Sequence, residues 1–181
     1  FRCLQLLCEL LRDRDFYGSD GGVTFSGGEP LLQAEFVCEL AERLGSVHKA
    51  IQTSGFATPD VYRKVIGHFD YVMQDIKLAD REEHIRYTGV SNEVILQNAA
   101  WLKQSGKPFV FRVPLIPGIT DTEENLRAVS EMVGDCRTEL LPYNEFAGAK
   151  YSMVGMEYTL DPVKNRAEKF TDYFKNAVMR A

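Results

Sequence analysis

The 181-residue chain has no apolar run approaching the length of a membrane span, so a helical membrane anchor is not expected. No secretory leader is visible either. The chain opens on Phe1 rather than Met and reads as the remainder of a longer protein. Cysteine is scarce and scattered: Cys3, Cys8, Cys38 and Cys136 form no disulfide framework and fit small buried apolar residues in a reducing, cytoplasmic compartment. His48, His68 and His84 match no metal-ligand spacing and are expected on the surface or at helix ends, so no metal ligands are expected in these residues. There is no block of Lys or Arg. With a net charge of −5 and a pI near 5.3, a nucleic-acid partner is not expected. No low-complexity stretch or Gly/Pro/Ser-rich linker divides the chain, which is 45% hydrophobic, and one domain spanning 1–181 is the expectation.

What is present is an alternation of short apolar strands with amphipathic helices, the pattern of βα units on a parallel sheet. Strands are predicted at 23–25, 50–53, 71–76, 109–115 and 139–141. Leu4, Leu7, Cys8 and Leu11 recur at helical spacing ahead of the first strand. Further helices are predicted at 33–43, 60–66, 93–104 and 123–133, the last capped by Asp121 or Thr122. A terminal helix is predicted over 162–179, with Pro162 in its first turn and Val163, Ala167, Phe170, Phe174 and Val178 on one side. Met73, Trp101, Phe109 and Phe111 are expected in the core.

Polar chemistry gathers where such a fold would bind a ligand, beyond the carboxyl ends of its strands. After the first strand comes Ser26-Gly27-Gly28-Glu29-Pro30. Two residues without Cβ let the backbone meet a ligand directly, Pro30 fixes the exit of the turn, and Glu29 supplies charge. Alternation along the third strand sets Asp75 and Lys77 on one side and Ile76 on the other. Arg112 lies within an apolar strand, where an unpaired guanidinium would be costly, so it requires a carboxylate partner, with Glu29 or Asp75 as candidates within the chain.

The run Ser26-Gly27-Gly28-Glu29-Pro30-Leu31-Leu32-Gln33 closely resembles the Gly-Gly-Glu-Pro motif of radical S-adenosylmethionine (SAM) enzymes, in the form found in the activating enzymes of glycyl radical enzymes. The same family is matched in order by Gln52-Thr53-Ser54-Gly55, Asp75-Ile76-Lys77, Tyr87-Thr88-Gly89-Val90-Ser91-Asn92, Arg112-Val113-Pro114 and Leu141-Pro142-Tyr143-Asn144-Glu145, and by Lys150-Tyr151 beyond them. The resemblance implies a partial (β/α)6-type barrel of parallel strands whose first βα unit is missing, leaving strand 23–25 at a sheet edge. It implies SAM held by Gly27, Gly28, Glu29, Thr53, Asp75, Lys77, Arg112 and Asn144, with the glycine motif receiving the amino group, and Lys77 and Arg112 the carboxylate. None of these residues is assigned a catalytic role. The implied reaction is reductive cleavage of SAM by a 4Fe-4S cluster, followed by hydrogen abstraction from a glycine of a partner glycyl radical enzyme. Flavodoxin or ferredoxin would supply the electron.

This chain departs from the family in several places. The Cys-x-x-x-Cys-x-x-Cys cluster motif is absent, and its thiolates are expected upstream of Phe1, so these residues alone should lack the redox chemistry. Gln52 stands where the family has Asp, which makes a cation beside SAM less secure. Asn144 replaces a frequent His and cannot carry a proton charge. Three other readings remain open on sequence: a different class of radical SAM enzyme, a cluster-free β/α-barrel lyase forming a Schiff base on Lys77, and a non-catalytic binding module.

Overall fold

The computed structural model describes residues 2–19, 21–143 and 170–180. Helix α1 (Arg2–Arg12) leads into strand β1 (Val23–Phe25), followed by α2 (Ala34–Arg43), β2 (Lys49–Thr53), α3 (Pro59–Gly67) and β3 (Tyr71–Asp75). Then come α4 (Arg81–Thr88), α5 (Glu93–Gln104), β4 (Phe109–Pro114), α6 (Glu123–Val133), β5 (Thr138–Leu141) and β6 (Ala177–Met179). The strands form one sheet in the order β1-β2-β3-β4-β5-β6, every neighbouring pair parallel. A parallel neighbour needs a crossover, and α2, α3, α4–α5 and α6 provide those between β1 and β5. Among the described residues β1 pairs only with β2, so it lies at an open edge, as expected.

One face of the sheet is covered by helices. Phe25, Ile51, Val72, Phe111 and Leu140 on the strands pack with Val37 and Leu40 of α2, Tyr62, Val65 and Ile66 of α3, Leu102 of α5, and Leu126 and Val129 of α6 in one core. The other face carries Gln52 in register with Met73, then Asp75, Arg112 and Glu139 side by side across β3, β4 and β5. Met73, expected in the core, is therefore half-buried on this second face. Alternation on each strand thus delivers an apolar face to the helices and a polar one away from them.

The helix limits have local causes. The Thr122 side chain accepts from the Asn125 amide to start α6, and Gly134 at φ +63° ends it. Helix α4, which the periodicity did not reveal, opens on Asp80 accepting from Glu83 N–H and closes on Gly89 at φ +80°. It escapes pattern analysis because only His84 on it is buried. Residues 30–33 form a 3₁₀ turn before α2 rather than joining it, because Pro30 enters the turn and Glu29 caps it through Leu31 N–H.

The predicted terminal helix is corrected. Its first part, 162–169, lies outside the described residues. Phe170–Tyr173 is a 3₁₀ turn, and Ala177–Met179 is strand β6. Phe170 and Phe174 do enter the core, but Val178 is 47% exposed. The reason is the vacant side of β5: Thr138 N–H donates to Asn176 O, and Arg180 N–H to Leu140 O, ladder bonds that a helix could not make.

Candidate functional site

The strand tops of β1, β2 and β3 meet around Glu29. Its carboxylate accepts from Leu31 N–H (3.1 Å), the Thr53 hydroxyl (2.6 Å), Ser54 N–H (2.8 Å) and the Ser54 hydroxyl (2.5 Å). These donors occupy the usual acceptor capacity of a carboxylate. Thr53 is 2% exposed, and its oxygen also accepts from Gly55 N–H. Glu29 therefore ties the glycine loop to the loop after β2. Ahead of it, Gly27 has φ +102°, a conformation that excludes ordinary L residues, and neither Gly27 nor Gly28 has any atom within 4 Å of where a Cβ would sit. The backbone at these glycines is open on its ligand side.

The loop after β2 is supported from below. Gln74 on β3 is fully buried, its Oε1 accepting from the Tyr62 hydroxyl (2.7 Å) and its Nε2 donating to Ile95 O (3.3 Å). A Cβ on Gly55 would come 2.5 Å from that Nε2, so only glycine fits above it. Asn98 of α5 donates to the carbonyls of Gly55 and Ala57, both at 2.9 Å.

Asp75 behaves unlike Glu29. Its Oδ2 lies 3.7 Å from Lys77 Nζ, while its Oδ1 is buried without a hydrogen-bond partner among the described residues. Burial pushes its carboxyl up from the ordinary value; Lys77 and Arg112 pull it down, and Glu29 adds to the rise. An unsatisfied buried carboxylate oxygen is costly and calls for a donor or cation from beyond the described residues. A cleft of about 210 Å³ borders Asp75, Lys77, Glu29 and Ser54, with Phe56 and His84 on its wall.

Arg112 has a different partner from those anticipated. Its Nε donates to Glu139 Oε2 at 3.1 Å, and not to Glu29 or Asp75. The parallel register places Glu139 directly beside Arg112, and the same Oε2 also receives Arg180 Nη1 at 3.0 Å. Glu139 is thus a site-bordering residue that sequence reasoning drew only as strand. His84 is also corrected: it is 4% exposed, not on the surface. Its Nδ1 lies 2.8 Å from Val90 O and 3.0 Å from the Thr88 hydroxyl. His48 is exposed and His68 follows the end of α3, as expected.

Glu29, Thr53, Asp75 and Lys77 are brought together, the glycines join them through Glu29, and Arg112 follows Asp75 in register. Asn144, Lys150 and Tyr151 lie outside the described residues. Ser54, Gln74, Asn92, Asn98 and Asn125 were not proposed as site residues. Asn98 and Asn125 carried a usable signal, since each interrupts the buried face of a helix otherwise lined by Ile95, Ala99 and Leu102 or by Leu126 and Val129.

The donor sets differ in what they can hold. The open glycine backbone, the orphaned Asp75 oxygen and the Lys77 cation fit a zwitterionic amino acid such as the methionine part of SAM. They do not fit an iron-sulfur cluster. Cys3 and Cys38 are buried, Cys8 is exposed, and no group of three metal-binding side chains exists among the described residues.

Comparison with known proteins agrees with this division. The family model of the radical SAM superfamily matches residues 5–129. The chain is 38% identical over 161 residues to the 4-hydroxyphenylacetate decarboxylase activating enzyme of Clostridium scatologenes, covering 85% of this chain and 52% of that protein. It is 36% identical over 167 residues to the choline trimethylamine-lyase activating enzyme of Oleidesulfovibrio alaskensis, covering 87% and 54%. A crystal structure of a domain of pyruvate-formate lyase-activating enzyme from Bacteroides vulgatus superposes with a TM-score of 0.70 at 27% identity, covering 88% of this chain and 99% of that one. The chain spans about half the length of these curated relatives.

Proposed function

Because the chain belongs to the radical SAM superfamily, and its curated relatives are activating enzymes of glycyl radical enzymes, we propose that it is the SAM-holding part of such an activating enzyme. The observation that carries the reading is an open, positive-φ glycine backbone after β1 together with a buried Asp75 oxygen, without a partner among the described residues, at the end of β3, one strand removed in the sheet.

In this reading the SAM amino group is received by backbone carbonyls of the glycine loop, since the Glu29 carboxylate is already taken by its own donors. Thr53 then serves by holding Glu29, and Lys77 meets the SAM carboxylate. Asp75 accepts through Oδ1 from a SAM polar group or a bound cation. Arg112, held by Glu139, supplies positive potential to the same face. Asn144 completes the carboxylate contacts. The chemistry that SAM supplies when bound is one-electron cleavage leading to removal of a hydrogen atom from a glycine of the partner enzyme. The residues described here provide orientation and electrostatics for it.

In this reading the cluster is held by thiolates outside the described residues. The partner is a glycyl radical enzyme, the electron donor a flavodoxin or ferredoxin, and the compartment the cytoplasm, with no nucleic acid or membrane involved. No helix among the described residues is long and apolar enough to cross a membrane. The Schiff-base alternative loses its footing, because Lys77 is paired with Asp75 and 37% exposed instead of desolvated in an apolar pocket.

The test is made with the full-length protein, reconstituted anaerobically and mixed with SAM, reductant and a candidate glycyl radical enzyme. A protein-centred glycyl signal in electron paramagnetic resonance is expected. SAM turnover without any such signal would point to another radical SAM class.

A further inference from the structure

Residues 76–80, between β3 and α4, have no regular secondary structure, yet Lys77 projects from their start. An irregular backbone beside a core still has to satisfy its N–H and C=O groups. Two asparagines from other elements do so. Asn125, 8% exposed in the first turn of α6, accepts at Oδ1 from Ala79 N–H (2.9 Å) and donates from Nδ2 to Lys77 O (3.0 Å) and Thr120 O (2.9 Å). Asn92, 2% exposed ahead of α5, donates from Nδ2 to Leu78 O (3.1 Å) and Ala79 O (2.8 Å). Three successive carbonyls, those of Lys77, Leu78 and Ala79, are therefore held by side-chain amides.

Only a primary amide offers an acceptor and two donors in that fork. An aspartate of the same shape would turn its second oxygen against two carbonyls. Nor could the Lys77–Asp75 pair hold the loop unaided. At 3.7 Å, with side chains 37% and 17% exposed, it is a partly solvated ion pair on a flexible stem, a class worth little by itself.

We propose that Asn125 and Asn92 are positioning residues for Lys77. They fix the backbone from which its ammonium reaches Asp75, and so set where that ammonium meets the carboxylate of SAM. The inference rests on the functional reading above. A purely architectural role would lower stability without acting through Lys77, and the two roles separate experimentally.

The experiment is a double-mutant cycle on the full-length, cluster-reconstituted protein, comparing wild type, Lys77→Ala, Asn125→Asp and the double variant. SAM affinity is measured by calorimetric titration and the fold checked by circular dichroism. Asn125→Asp is expected to weaken SAM about tenfold in the wild-type background but less than about twofold where Lys77 is already Ala. If Lys77→Ala binds SAM as wild type does, the functional reading fails and the inference with it. If Lys77→Ala weakens binding but Asn125→Asp does not, or weakens it equally in both backgrounds, the positioning role is overturned while the site reading stands. Should Asn125→Asp not fold, Asn92→Ser, which loses the forked amide but keeps a small polar group, goes through the same cycle with the same outcomes.

Discussion

Two carboxylates at the same end of the sheet, after β1 and at the end of β3, are treated in opposite ways. Glu29 is met by donors at every usual position, from Leu31, Thr53 and Ser54. Asp75 has one oxygen 3.7 Å from Lys77 and the other buried with no partner among the described residues. Burial without hydrogen bonds raises a carboxyl's pKa, and that is the direction found for Asp75. The contrast separates holding a loop in place from keeping an acceptor available. Glu29 stabilises the loop it holds, whereas the unsatisfied Asp75 oxygen costs stability.

The largest effect is expected from Glu29→Ala. It strands the Thr53 hydroxyl, which is 2% exposed, together with Ser54 N–H. A loss of about 2–4 kcal/mol is expected in urea-induced unfolding. A loss well under 1 kcal/mol would remove Glu29 from its structural role. Next is Gly55→Ala, which combines φ +77° with a Cβ 2.5 Å from Gln74 Nε2. It should cost about 1–3 kcal/mol, read from the same denaturation curves.

Asp75→Asn should move stability the other way, with a pH dependence. A carboxyl whose folded pKa is raised binds its proton more readily in the folded state, so wild-type stability falls as pH rises from the ordinary carboxylate value through the raised one. Asparagine has no such proton. The variant should therefore melt higher than wild type at neutral pH, and the advantage should shrink to nothing once the pH drops below the ordinary carboxylate range. Melting curves at several pH values decide it; a variant less stable than wild type at neutral pH would show that the Lys77 contact outweighs desolvation. The smallest effect on stability belongs to Gly28→Val, because the added side chain meets open space and the φ there is not positive. Within about 0.5 kcal/mol of wild type by unfolding, it should still weaken SAM binding in titration with the full-length protein.

Much of the architecture was readable in the chain. Helices α5 and α6 run over the predicted 93–104 and 123–133, since each combines apolar periodicity with clear end signals. Strand β1 also matches, and the other predicted strands agree within a residue or two. Helix α4 was hidden because its sequence, Arg-Glu-Glu-His-Ile-Arg-Tyr-Thr, is polar nearly throughout and buries only His84. Strand β6 was misread because Phe170, Phe174 and Val178 suit helical spacing, while the vacant side of β5 that captures Ala177–Met179 appears only in three dimensions.

Within the site, residue types and order along the chain were enough to single out Gly27, Gly28, Glu29, Asp75 and Lys77, because motif spacing is local and strand alternation sets which side chains share a face. Partnership is not local. Glu139 meets Arg112 through the register of β4 with β5, and Asn125 reaches Lys77 from 48 positions away along the chain. Which carboxylate is saturated and which is left open depends on how many donors converge on it from separate elements. That convergence comes from packing the helices onto the sheet, and no single segment of the sequence encodes it.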